Sequence, residues 1–522
     1  MAEFTVDTSA PVEGNAPLPA GLIEAFWRYE RALMADDVPA LDALFVDDPS
    51  TLRGDGSGLL VGHERIAAFR RGRGGAPKRR ILEVHAQVID DDDALLVAVL
   101  GPLAGGRGQQ TQLWRRSDEN GWQVSAAHVS APAPAIDPRI WRIVGTPLVG
   151  STETGPLDGE TVAVKDLFSI AGHRVGAGVP RYLARATPGR VTAPAVSALL
   201  GAGATVRGIA RTDEFAYSIA GVNPHYGTPP NAAVPGAIPG GSSSGPASAV
   251  ASGQASIGLA TDTAGSIRVP ASYQGLWGLR TTHGAISADG LLPLAPSFDT
   301  VGWLTRSGEL LARITRLLLP SPVGLPARVA IAPGVLDTLE PDIAGTFRAG
   351  IDTLVAEGLI PKPSEVELPD AAAALATFRT VQAAEAWRAH GAWITENPGA
   401  VSGAVAERFR IAQAVTAEQE SEAREQLGRL RGELREILDD RVLLVPAAAS
   451  TAPQTTASPD EIDAVRTATL QITCFAGIAG APSVSAPLLS TSAGPLGLAL
   501  VGPPGSDTAL VDFATRLTPL AR

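Results

Sequence analysis

A single cysteine, Cys474, stands among the 522 residues. It excludes an internal disulfide and a cysteine cluster for a metal, and it suits a reducing cytoplasm. Basic charge is also in deficit. Against 54 Asp and Glu there are 42 Lys and Arg, a formal net charge of −12, so the basic face that a nucleic-acid backbone demands is not advertised and no such partner is expected. No uncharged apolar run is long enough for a membrane-spanning helix. The opening "MAEFTVDTSAPVEGNAPLPA" lacks the basic start and apolar core of a signal peptide, and reads as a disordered tail over 1–19. No repeat at a fixed period occurs. What the chain does have is apolar residues, 45% of the total, enough over this length for two or three globular domains.

The first of these is predicted over residues 20–131. In "AGLIEAFWRYERALMAD" the residues Leu22, Phe26, Tyr29 and Leu33 fall on one helical face. "ILEVHAQVID" then alternates with Leu82, Val84, Ala86 and Val88 on one side, followed by "ALLVAVLGPL", "QQTQLWRRSD" and "GWQVSAAHVS". This pattern predicts an antiparallel sheet behind a helix, an α+β module. Residues 132–140, within and after "APAPAIDP", read as a stiff Pro/Ala linker. From 141 to 522 the chain turns rich in Gly, Ala, Ser and Pro. Short apolar strands alternate with helical runs there, predicting an α/β domain. The acids and arginines of "AEQESEAREQLGRLRGELREILDD" fall at i,i+4 spacing and read as a solvated helix face.

Chemistry concentrates in three stretches. "ATDTAGSIRVPAS" sets Ser266 in a small-residue turn, but a serine hydroxyl needs a base to become a nucleophile. The G-x-S-x-G elbow is absent around it, and His283 is the nearest histidine in sequence. "PGGSSSGPASAVASG" permits tight turns and close backbone approach before an Ala-rich helix. "VAVKDLF" buries Lys165 at the end of an apolar strand, where it is either paired with an acid such as Asp166 or neutral and competent as a general base.

Together these stretches resemble the amidase signature family, strongly from about 160 to 310 and more loosely to the C-terminus. The resemblance implies a mixed α/β core and a catalytic set of Lys165, Ser242 and Ser266, in which Ser242, its peptide cis, relays the proton of Ser266 to Lys165. It further implies an oxyanion hole from the backbone N–H groups of Thr263, Ala264, Gly265 and Ser266, and supporting roles for Ser243, Asp262 and Arg268. No cofactor or metal is called for. Ala264 and Pro246 depart from the family's usual residues without removing a reacting group. "DEFAYSIAGVNPHYGTPPN" and "PGGSSSG" look like the short members similar to plant indole-3-acetamide hydrolases.

The anchors "FWRYERALMADD" and "TLRGDG" make the first module resemble the AtzH-like domains of the cone-shaped NTF2-like superfamily. That likeness implies a pocket with Tyr29 and Arg53, although Tyr29 also shares the apolar helix face and is equally a core residue. The expected function is hydrolysis of a small-molecule aryl or alkyl amide, or a ureido carboxylate, to a carboxylate and ammonia through an acyl-enzyme on Ser266. The N-terminal module would serve as a second site, a binding module or a homodimer contact. A noncatalytic binding or scaffold protein on the same fold is the alternative. Phe215, Tyr217, Trp387 and His390 are candidates to line the acyl pocket.

Overall fold

The computed structural model describes residues 6–55, 58–73, 76, 78–102, 108–130, 136–319 and 323–517. The chain divides into two compact units, the first ending at residue 136. In the first, the helix Leu22–Ala35 buries Leu22, Phe26 and Tyr29, while Leu33 is only half-buried. It packs in the core of a sheet ordered Val12–Gly14, Arg79–Val88, Asp93–Pro102, Gly108–Ser117, Gly121–Ser130, Leu52–Asp55, Gly58–Val61. The four long strands are antiparallel and alternate, with Ala94, Leu96, Ala98 and Leu100 inward.

Two expectations are corrected here. The tail expected over 1–19 contributes a strand, Val12–Gly14, because its backbone pairs in parallel with Val84–Ala86; residues 1–5 lie outside the described residues. Leu82 does not share the inner face. The ladder shifts register between Ile81 and Glu83, which turns Ile81 inward and leaves Leu82 38% exposed, the effect of one extra residue on a period of two.

Of the expected linker, 132–135 lie outside the described residues. Ile140 is fully buried and belongs to the core of the second unit, not to a connector. That unit is built on a mixed sheet of eleven strands among the described residues. Its order is Ser364–Glu365, Arg328–Ile331, Arg441–Pro446, Gly494–Val501, Ser483–Thr491, Trp277–Arg280, Thr300–Thr305, Ile257–Asp262, Thr161–Lys165, Thr205–Ala210, Trp141–Val149. Helices cover it, including the long Ala371–Glu396, Ala417–Asp439 and Pro459–Ala479. The strand Thr161–Lys165 runs parallel to both its neighbours, Thr205–Ala210 and Ile257–Asp262. Buried on both faces, such strands are continuously apolar, as "TVAV" is. Their carboxyl ends meet at one edge, where an open α/β sheet leaves its crevice.

Candidate active site

Lys165 ends its strand at that edge and is completely buried. The register that sets Leu259 opposite Val164 carries Thr261 just past it on the next strand. The Nζ of Lys165 lies 2.8 Å from Ser242 Oγ, 2.9 Å from Ser243 Oγ and 2.8 Å from Thr261 Oγ1. Its partners are thus three hydroxyls rather than a carboxylate. Burial lowers its pKa to about 7, against the opposing charges of Asp213, Asp262 and Asp299. The adjacent Asp166 is taken by Arg142 at 2.9 Å and by the N–H of Gly176. Burial raises the Asp166 pKa to about 6 even so.

Ser242 follows a cis peptide bond from Gly241. Its carbonyl accepts hydrogen bonds from Thr212 Oγ1 at 2.8 Å and Asp213 N at 3.2 Å, while Gly241 N donates to Ile219 O. Only glycine fits at 241, because a Cβ there would lie 2.4 Å from Asp213 Oδ2. The chain then enters the helix Ser244–Ala251, and Ser243 N donates to the carbonyl of Ser266 at 3.3 Å, which fastens the two serine loops together.

Ser266 sits between the strand Ile257–Asp262 and the helix Arg268–Gln274, and is buried. The turn is organised by the carboxylate of Asp262. It accepts from Gly265 N at 2.9 Å and Ile267 N at 3.1 Å and pairs with Arg268 at 2.9 Å and Arg280 at 3.1 Å. Burial alone would raise the Asp262 pKa, but the guanidiniums of Arg268 and Arg280 outweigh it and hold it well below the usual range. The N–H of Gly265 is engaged by Asp262, which leaves Thr263, Ala264 and Ser266 as the N–H groups of the turn with no protein acceptor among the described residues. From the far side Thr473 Oγ1 donates to Ala264 O at 2.5 Å, and Thr263 Oγ1 to Asp299 at 2.6 Å.

A buried lysine among hydroxyls beside a braced serine turn accompanies a match to a family model described as Amidase over residues 146–321 and 324–511. The chain belongs to the amidase family. Residues 15–134 match the AtzH-like model, so the amidase unit follows an AtzH-like domain. "Amidase 1" of Oryza sativa subsp. japonica is 36% identical over 397 residues, 69% of this chain and 90% of that protein. The 2-amino-5-chloromuconic acid deaminase of Comamonas testosteroni is 32% identical over 398 residues, 71% and 83% of the two chains. A solved structure described as "An unexpected vestigial protein complex reveals the evolutionary origins of an s-triazine catabolic enzyme" superposes with a TM-score of 0.63 at 28% identity, covering 70% of this chain and 85% of that one. The protein is an amidase-family hydrolase acting on amide C–N bonds.

Other candidates are distributed differently in this amidase. His283 is held by Pro296 O at 2.8 Å and has no bond to the lysine or the serines. Phe215, Tyr217 and His390 gather around Phe409, with ring centroids 5.9, 5.3 and 6.1 Å from it. Trp393 joins them at 5.4 Å from Phe215, and Trp387 packs against the same core. Burial pushes His390 down to about 4, and its Nε2 meets Pro293 O. Beside this aromatic cluster lies a cavity of ≈ 560 Å³ whose lining includes Leu167, Tyr182, Arg185, Leu292 and Trp393.

Within the AtzH-like domain Tyr29 is buried against Phe45 and Trp114, while Arg53 pairs with Asp55 at 2.8 Å and lies over the ring of Phe69. Arg70, unremarked in the sequence, lies 4.0 Å over Phe45 and donates to Leu41 O at 2.7 Å. Also missed were Thr261, Arg280 and Thr473. Each acts across a long gap in sequence, and no local pattern reports it.

Proposed function

We propose that the amidase unit hydrolyses a small-molecule carboxamide to a carboxylate and ammonia through an acyl-enzyme on Ser266. The observation that carries this reading is the buried Lys165, with its pKa near 7 and three hydroxyls within 2.9 Å of Nζ. Neutral Lys165 takes the proton of Ser242 Oγ as Ser242 takes that of Ser266. The Ser266 oxygen attacks the carbonyl carbon, and the resulting oxyanion is met by the N–H groups of Thr263, Ala264 and Ser266. The proton returns along the same relay to the amide nitrogen, the C–N bond breaks and ammonia leaves. Water then attacks the ester, giving its proton to the relay, and the carboxylate departs with Ser266 restored.

Ser243 and Thr261 orient the lysine; Asp262, Arg268 and Arg280 hold the turn. Trapping the acyl-enzyme tests the scheme: hydroxylamine added during turnover should divert product to the hydroxamate, and intact-mass measurement of acid-quenched enzyme should find the acyl group on Ser266. Full activity in Ser266→Ala would reject it.

The AtzH-like domain is read as a second small-molecule pocket at Tyr29 and Arg53, with Arg70 beside them, or as a homodimer contact. Sedimentation of the whole chain separates these roles. The one cysteine, buried Cys474, supports a cytoplasmic setting.

A further inference from the structure

Three arginines from three helices meet beside Tyr217. Arg379 lies on Ala371–Glu396, Arg408 on Gly403–Gln413 and Arg466 on Pro459–Ala479. Arg408 Nη1 donates to the carbonyl of Tyr217 at 2.9 Å, and Arg379 Nη2 donates to Thr467 Oγ1 at 3.1 Å. Arg408 and Arg466 share a single carboxylate oxygen, Asp463 Oδ1, at 3.8 and 3.5 Å. That acid is 61% exposed, whereas the two arginine side chains are only 17% and 13% exposed. The Nε of Arg466 is buried and has no partner among the described residues. Arg408 and Arg466 therefore share one largely solvated carboxylate, with the charge of Asp213 also reaching Arg408, while Arg379 adds a third positive charge beside them. Uncompensated buried charge is costly, and a planar carboxylate that accepts paired N–H bonds is the ligand that relieves it best. Burial, with Arg408 and Arg379 as like-charged neighbours, pushes Arg466 down to about 9. The charges of all three reach the phenol of Tyr217.

The cluster is tied to both serine loops. Tyr217 lies in the segment whose Asp213 N binds Ser242 O and whose Ile219 O binds Gly241 N. The helix bearing Arg466 also bears Thr473, which bonds Ala264 O in the serine turn. Seven residues separate the two, two turns on one helix face and about 10 Å along its axis. Amides that differ in the number of carbon atoms between carbonyl and terminal anion probe the interval from the cluster to Ser266.

We propose that Arg379, Arg408 and Arg466 form the recognition site for a carboxylate on the substrate, so that this enzyme's amides are half-amides of dicarboxylic acids or ureido carboxylates. The inference rests on the reading of Ser266 as the nucleophile, and the test keeps the two apart. Hydrolysis is measured for succinamate, glutaramate and adipamate, each against its uncharged partner butanamide, pentanamide or hexanamide. In the wild type at least one carboxylated member should have a KM ten or more times below that of its partner. In Arg466→Gln that ratio should collapse toward one through KM, and Arg466→Lys should restore part of it, while circular dichroism checks that both variants fold. Ser266→Ala should turn over none of the amides yet bind the preferred one in calorimetry with a Kd that Ser266→Ala/Arg466→Gln weakens at least tenfold.

Turnover by Ser266→Ala with the same Arg466-dependent binding would remove the nucleophile assignment and keep the carboxylate site. Equal KM for charged and neutral partners would overturn the proposal. So would a like effect of Arg466→Gln on both partners, or calorimetry in which no carboxylated amide binds. Inorganic phosphate binding more tightly than any of them in an Arg466-dependent way would overturn it in favour of a free-anion site.

Discussion

If Lys165 is the base, activity must follow its deprotonation. Its pKa falls from the ordinary 10.5 to about 7 because burial strips water from the ammonium. At about 1.36 kcal/mol per pH unit, that drop corresponds to roughly 5 kcal/mol of disfavour for the charged form. Only neutral Lys165 accepts the proton, so kcat/KM should rise with pH through about 7 and level off above it. At pH 5, two units below that value, about 1% of the lysine is neutral and kcat/KM should be about 1% of its plateau. The assay is ammonia release under kcat/KM conditions from pH 5 to 10.

Lys165→Ala should lose about 10²- to 10⁴-fold at pH 7, the usual scale of general-base catalysis. It should also lose the limb near 7 and recover part of its rate as hydroxide rises. Stability carries the same signature with its own sign. The folded pKa lies below the unfolded one, so between about 7 and 10.5 the unfolded chain holds the extra proton and this group's contribution to stability rises with pH. The reasoning is refuted if Lys165→Ala keeps the limb while replacement of a single histidine, such as His283 or His390, abolishes it.

Three further outcomes are expected. Ser242→Ala should lower kcat at least a hundredfold in steady-state assays, because the only hydroxyl linking nucleophile to base in the proposed relay is gone; an unchanged kcat would make the Gly241–Ser244 loop purely architectural. Asp262→Asn leaves Arg268 and Arg280 buried without their carboxylate, and urea unfolding should show a loss of about 3–5 kcal/mol; a loss below 1 kcal/mol would mean that the other acceptors of the two arginines suffice. Gly241→Ala puts a Cβ 2.4 Å from Asp213 Oδ2 and 2.6 Å from Gly221 N, so expression as soluble protein or activity should fail; a crystal structure of an active Gly241→Ala with the loop unmoved would refute the steric argument.

The sequence by itself determined the chemistry-bearing segments of this protein. "VAVKD" had to be a strand ending in a lysine, since an apolar run with nothing polar until Lys165 finds its place only between two other strands. "GGSSSG" and "DTAGS" had to contain turns, since their residues are small and Gly265 adopts a φ of +131° that other residues resist. Tyr29 was legible as a residue of the apolar helix face from spacing alone, while the inward turn of Ile81 in place of Leu82 was not, because a bulge depends on the partner strand and leaves no local trace.

Tertiary structure decided everything that depends on distance. It chose three hydroxyls over Asp166 as the partners of Lys165, engaged Gly265 N–H with Asp262, and brought Arg280 and Thr473 to the serine turn and three arginines to Tyr217. Side-chain identity is written along the chain. The desolvation that lowers the lysine and the pairing that fixes Asp262 arise only when strands and helices far apart in sequence close over the same few ångströms.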